Sequence, residues 1–321
     1  MNAARGGWPV APSEETGRVG PCGPHFGVGR GTLRRNRWYY LATVLIVVLS
    51  LVGACAAPAA APAATSVPAA EPTKATEAKP TEAASSTAAG PNIDRIKKAG
   101  KLVVLMAATF APMEFKDEQG KISGFDVDIA TAFAKSLGVQ PEFTNVNWDG
   151  IFAALQQGKG DVVLSSVTIT DERKKTMAFS EPYYLAGQII SIPASTTDIK
   201  GPDDLKGKVV AVQIDTTGQE AAEKIDGIKE IRKFDGGAET MLAVEQGKVD
   251  ASILDSVVAL HFIKDHPKVK AADPKPFTSE PYGAAFQKDA SDLVKAFNDF
   301  IAQAKKDGTY DQLTAKWGLS Q

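Results

Sequence analysis

Cysteine and histidine are nearly absent from this chain. In 321 residues there are two cysteines, Cys22 and Cys55, and three histidines, His25, His261 and His266. Both cysteines precede the region where strand and helix patterns begin. A disulfide framework, a thiolate metal centre and a cysteine nucleophile are therefore excluded from the folded region. His261 and His266 stand five apart beside Pro267, on different helix faces, which is the spacing of a surface pair rather than a metal site. No metal and no cofactor are expected. Basic excess is lacking too: 36 Lys and Arg stand against 38 Asp and Glu, a net charge of −2. Nothing in that balance favours nucleic acid as a partner. What is present is a 44% hydrophobic composition, enough for one or two packed cores.

A long hydrophobic run is also missing. The longest, Tyr39 to Val52, follows Arg34, Arg35 and Arg37. It is short for a membrane span and fits the apolar core of a signal peptide. It ends in Val52-Gly53-Ala54-Cys55, which resembles the lipobox of bacterial lipoproteins, with Val52 where leucine is usual. The resemblance implies that Cys55 is lipidated and becomes the first mature residue; the alternative is an ordinary secretory cleavage site. Residues 1–54 are thus read as an N-terminal extension and lipoprotein signal peptide. Residues 1–33 are long and rich in Gly and Pro for that role, which points to a start assigned too far upstream. Residues 56–92 hold 15 alanines and 6 prolines and no Leu, Ile or aromatic residue. Such a segment buries too little apolar surface to offset its chain entropy. Residues 55–92 are read as the lipidated cysteine and a disordered spacer.

From about Ile93 onward strands and helices alternate. Leu102–Met106 reads as a strand, Phe125–Leu137 as an amphipathic helix stopped by Gly138, Asp149–Gln157 as a helix and Asp161–Ser165 as a buried strand. Lys208–Gln213, Ala238–Gln246 and Ala251–Asp255 repeat the strand, helix, strand order. The class is α/β with mostly parallel sheets. One echo is specific: Ala154-Leu155-Gln156-Gln157-Gly158-Lys159-Gly160-Asp161 is matched 89 residues later by Ala243-Val244-Glu245-Gln246-Gly247-Lys248-Val249-Asp250. It predicts two related lobes. At the same offset Asp255 corresponds to Ser166, and both fall at C-terminal strand ends, where open α/β sheets bind ligands.

The run Ser165-Ser166-Val167-Thr168-Ile169-Thr170-Asp171-Glu172-Arg173 follows the strand of the first lobe. Small hydroxyl residues end that strand, and an arginine follows within one turn of a helix start. Backbone N–H groups, hydroxyls and a guanidinium fork can then converge on a carboxylate. A capped helix with a surface arginine has the same pattern. Facing lobes with a carboxylate-binding edge and an acidic edge at Asp255 would suit the two charges of a free α-amino acid.

Several segments, in this order and spacing, resemble the family-3 solute-binding proteins, the amino-acid receptors of ABC importers. They are Phe110-Ala111-Pro112-Met113-Glu114-Phe115, Gly124-Phe125-Asp126-Val127-Asp128, Trp148-Asp149-Gly150, Thr168 to Arg173, Phe179 to Tyr184, Asp203 to Lys208, Tyr282 to Phe286, Gly308-Thr309-Tyr310 and Lys316-Trp317-Gly318. The resemblance implies a two-lobed periplasmic-binding-protein-like fold of type II, each lobe a mostly parallel sheet flanked by helices, joined by two hinge crossings near Tyr184–Gly187 and Thr278–Tyr282. Lobe I would join 93–184 with 283–321, and lobe II would span 188–277. Arg173 would hold the ligand carboxylate, with the N–H groups of Thr168 and Thr217. Asp255 would take the ammonium with Ser166, beside Ser165. Phe110 and Trp148 would sandwich the side chain.

Two departures bear on specificity. Relatives that bind basic amino acids often carry an aspartate where this chain has Ala107, and glutamine binders can pair it with a lysine where this chain has Gln213. Without either charge a buried ligand cation is costly, so a neutral amino acid is expected, with Leu254 as an apolar wall. Asp215 stands where glycine is usual. The resemblance further implies a monomer outside the cytoplasmic membrane or in the periplasm, tethered through Cys55, whose partner is an ABC permease. Two other functions compete. A dehydratase-like enzyme on the same fold would need a cleft acid, for which Asp215 and Glu220 are candidates. A ligand sensor would signal through a partner chain.

Overall fold

The computed structural model describes residues 90–319. The signal segment, Cys55 and nearly all of the spacer lie outside the described residues. The first helix, Pro91–Ala99, opens with proline at its start and takes in two residues read as spacer. Asp292 supplies its cap: its carboxylate accepts from the N–H groups of Asn92 and Ile93 at 2.9 and 3.1 Å. That satisfies two of the donors a helix start leaves orphaned.

Two five-stranded sheets organise the chain. The first takes its strands in the order 140–145, 101–106, 162–163, 285–287, 177–179, and the second in the order 230–234, 209–213, 251–255, 188–193, 269–271. Each has the same plan. Three parallel strands lie together, and the fourth runs against both neighbours. Four of five strands in each sheet therefore point one way, as the mostly parallel reading requires. Helices cover the faces, so strands such as Ala251–Asp255 are buried along their whole length and read as apolar runs rather than alternations. The strand expected over Asp161–Ser165 keeps ladder pairing only at Val162–Val163, because the following residues leave the sheet to form the site.

The internal echo has a physical basis. In both lobes the helix ends in a left-handed glycine, Gly158 at φ +72° and Gly247 at φ +67°. The next lysine N–H reaches back to Ala154 and to Ala243 at 3.0 and 2.9 Å, the Schellman pattern that requires glycine there. Asp161 then accepts from the N–H of Val103 at 2.7 Å while donating its own N–H to the Val103 carbonyl at 2.8 Å. Asp250 does the same to Val209, at 2.7 and 2.9 Å. Each Gln-Gly-Lys-x-Asp thus turns the chain and locks the next strand onto the parallel strand beside it.

The two sheets are joined by paired hinge strands. Tyr184–Ala186 lies antiparallel to Glu280–Tyr282, so both crossings meet at the places read as hinges. The helix Ser291–Lys306 returns to the first sheet. There Phe297 packs edge-on against Phe133 with ring centroids 5.0 Å apart. His266 follows the helix Ser256–Asp265 rather than lying on it. It stacks on Phe262 and meets Glu245 at 2.8 Å.

Candidate functional site

A cavity of about 350 Å³ lies between the sheets, at the C-terminal ends of their central strands. Its lining includes all nine residues singled out from the sequence: Phe110, Trp148, Ser165, Ser166, Thr168 and Arg173 from the first lobe, and Gln213, Thr217 and Asp255 from the second. The structure thus brings together groups up to 145 residues apart in the chain.

At one end is Arg173. Thr170 caps its helix, its hydroxyl accepting from the Arg173 N–H at 3.1 Å. The guanidinium donates to the carbonyls of Thr168 at 2.9 Å and Asp215 at 3.5 Å, and lies over the rings of Trp148 and Phe152 at 5.4 and 5.1 Å. Among the described residues it forms no salt bridge. Burial pushes its pKa down, opposed by the charges of Glu220, Asp255 and Glu280. Thr168 is free to serve it because its neighbours make the ladder bonds: Ile169 N–H to Pro281 at 2.8 Å and Gly283 N–H to Val167 at 2.9 Å. Across the cleft, Thr217 opens the helix Thr217–Glu223, capped by the Thr216 hydroxyl. Its hydroxyl is 3.5 Å from that of Thr168.

At the other end is Asp255, the last residue of its strand and 7% exposed. Burial, with repulsion from Glu280, pushes its pKa up to about 6. Among the described residues its Oδ1 makes no hydrogen bond within 3.5 Å, and neither do Gln188 Oε1 and Tyr282 OH, although Tyr282 and Gln188 lie near enough to lower its pKa. Leaving a buried carboxylate oxygen unpaired is expensive. Arg173 and Asp255 influence each other's charge without meeting in an ion pair.

Asp215 has φ +57°, a left-handed conformation that glycine adopts freely and Asp tolerates better than most residues. That explains why glycine is usual there. The turn aims the Asp215 carbonyl across the cleft, where Trp148 Nε1 donates to it at 2.9 Å. Its carboxylate is exposed, as is Glu220, and neither lines the cavity.

Two expectations need correction. Leu254 is not a cavity wall; it is 3% exposed and packs in the second lobe's core. Neighbours on a strand face opposite ways, so placing Asp255 in the cleft turns Leu254 from it. The cavity also holds an acid besides Asp255. Glu114, 1% exposed, lines the same cavity as Ala107 and Gln213. Its signal was present in the sequence as a lone acid inside the apolar run Pro112 to Phe115. Burial, with the neighbouring Asp126, holds its pKa well above the usual carboxylate range. Thr109 and Thr216, also unremarked in the sequence, complete the lining.

Comparison with known proteins agrees with this fold. Residues 102–320 match the family described as bacterial extracellular solute-binding proteins, family 3. The L-cystine-binding protein TcyJ of Escherichia coli strain K12 is 36% identical over 227 residues, covering 70% of this chain and 85% of its own. An ancestral arginine-binding protein solved with arginine is 45% identical, covering 68% of this chain and 98% of its own, with a TM-score of 0.66. The ancestral arginine-binding protein solved with glutamine is 44% identical, covering 69% and 99%, also at 0.66.

Proposed function

The chain belongs to the bacterial extracellular solute-binding proteins of family 3, and from that premise we propose that it binds one free α-amino acid between its lobes and presents it to an ABC importer. The observation that carries this reading is the pair of unmet charges facing one cavity. Arg173 has no acidic partner among the described residues, and Asp255 has a buried oxygen without a donor. An α-amino acid supplies a carboxylate to the first and an ammonium to the second. Thr168 and Thr217 add donors to the carboxylate, and Ser166 adds an oxygen to the ammonium. A ligand held by both lobes favours the closed arrangement, since it loses half its contacts when the hinge strands open.

Phe110 and Trp148 present flat walls to the side chain. Gln213 presents an oxygen acceptor; its Nε2 is already committed to the Asp235 carbonyl at 3.0 Å. This suits a planar, donor-bearing end. Glutamine is the first candidate, because Ala107 and Gln213 line the cavity without a charge. Arginine is the second. The ancestral relative solved with each of them supports the choice. Competitive calorimetry against the common amino acids tests it. Glutamine should bind at least about tenfold more tightly than lysine, because an unneutralised buried ammonium costs several kcal/mol. Lysine displacing glutamine at equal concentration would refute the preference.

Binding rather than catalysis is favoured because the chain belongs to a family of solute-binding proteins; Asp215 and Glu220, the acids first considered for a dehydratase, are exposed and do not line the cavity. The protein acts outside the cytoplasm, as its family description states. We further propose that Cys55 carries a lipid anchor. Cys55→Ser should release the protein from the membrane fraction or leave its precursor unprocessed; normal processing with full membrane retention would exclude lipidation.

A further inference from the structure

Two buried acids lie directly beneath Ser166. Glu114 belongs to the strand Glu114–Lys116, and Asp126 to the first turn of the helix Phe125–Ser136. Both are fully buried, at 1% and 0% exposed. They converge on the Ser165–Ser166 turn. Asp126 Oδ2 accepts from the Ser166 N–H at 2.7 Å and from its hydroxyl at 3.2 Å, and the Tyr183 hydroxyl donates to the same carboxylate at 2.9 Å. Glu114 accepts from the Ser165 hydroxyl at 2.7 Å, and its second oxygen is 3.4 Å from the Ser166 hydroxyl. Ser165 Oγ in turn accepts from the Ala107 N–H at 3.0 Å.

One Ser166 hydroxyl therefore stands within reach of both carboxyl groups. Two ionised carboxylates cannot share so small a buried space. Three donors converge on Asp126, which marks it as the ionised member. Glu114 receives one good donor and adjoins Asp126, which marks it as the member holding a proton. The other titratable groups that face the pair are the phenols of Tyr183, Tyr282 and Tyr310; none is a cation that would hold both acids ionised. Ser166 itself has φ +50°, a strained conformation for a residue with a Cβ. The Asp126 carboxylate is what pins it there by its backbone N–H.

We propose that Glu114 and Asp126 hold one proton between them, and that this carboxylic acid–carboxylate pair positions Ser166 to receive the ligand's ammonium group. The proposal rests on the amino-acid reading of the cavity. It gives a shared task to the motifs around Glu114, Gly124-Phe125-Asp126 and Phe179 to Tyr184, which are far apart in sequence. Both acids are positioning residues. They act through the Ser165–Ser166 turn, so the turn keeps its strained shape with one negative charge beneath it rather than two.

The experiment compares wild type, Glu114→Gln and Asp126→Asn in the folded protein, with glutamine and arginine as ligand probes. An amide at 114 reproduces the protonated acid, donating to Asp126 and accepting from Ser165. Glu114→Gln should bind within about threefold of wild type. An amide at 126 sets a donor against the donors of Ser166 and Tyr183, and affinity should fall about 10- to 100-fold. Infrared spectra at neutral pH add a readout independent of ligand. Wild type should show a protonated-carboxyl C=O band that disappears in Glu114→Gln, and this comparison stands even if Asp126→Asn does not fold. The proposal is overturned by a folded wild type without that band, by a band that persists in Glu114→Gln, by Glu114→Gln losing as much affinity as Asp126→Asn, or by Asp126→Asn binding like wild type. A wild type that shows the band but binds no amino acid would instead remove the functional reading.

Discussion

Arg173→Ala is expected to abolish useful amino-acid binding and leave the fold intact. The side chain is half-buried on a short helix that contributes no residue to the core, so the core packing is kept when it is removed. What is lost is the only guanidinium that lines the cavity among the described residues. Its fork is oriented by the carbonyls of Thr168 and Asp215 and by the rings of Trp148 and Phe152, so it is in place before a carboxylate arrives. Removing one partner from a buried, hydrogen-bonded ion pair costs about 2–5 kcal/mol, or roughly a 30- to several-thousand-fold loss of affinity. Arg173→Lys should recover little of it, because an ammonium cannot take both carboxylate oxygens in one plane. Calorimetry showing near wild-type affinity for Arg173→Ala would sink the carboxylate assignment.

Acidification should weaken binding through Asp255. Its folded value of about 6 lies above the ordinary 3.8 because burial and Glu280 oppose its charge. For the ligand-free protein the sign is that of a raised acid. Its contribution to stability is fully present below the unfolded value and is lost as pH rises through about 6, a difference of about 3 kcal/mol. Ligand binding runs the other way, since an ammonium needs the ionised form. Between pH 7 and 5, therefore, the affinity should fall about tenfold per unit once below 6, while the contribution of Asp255 to ligand-free stability grows. Asp126, also raised to about 6, steepens the acid limb. Asp255→Asn should bind about 30- to several-thousand-fold more weakly at pH 7 and show a flatter acid limb. An Asp255→Asn protein that keeps the full wild-type slope and affinity would place the ammonium elsewhere.

Much of the site was legible because its residues come in local patterns. Ser165 to Arg173 is one continuous strand end, turn and capped helix start, whose geometry follows from short-range rules. Asp255 was found through the repeated Gln-Gly-Lys-x-Asp, because the same turn chemistry places the same strand end in both lobes. Glu114 was missed as a site residue for the opposite reason. Its meaning depends on Ser165, Ser166 and Asp126, from other segments, meeting it in the core. Leu254 was misplaced because composition says that a residue is buried but not into which side of a sheet. Asp215 was recognised as unusual, yet only the left-handed backbone shows that its carbonyl, not its carboxylate, faces the cleft.

By itself, the sequence determined the α/β class, the two related halves and the chemistry gathered at the cleft. Hydrophobic periodicity, glycine stops and strand-end hydroxyls act over a few residues, and each can be read where it stands. The tertiary structure alone decided that the fourth strand of each sheet is reversed, that the two hinge segments pair, and that two acids share the floor beneath Ser166. Those features depend on segments 40 or more residues apart coming to one place. There, burial strips the charges of water, and a carboxyl group's protonation is settled by neighbours that the chain order does not reveal.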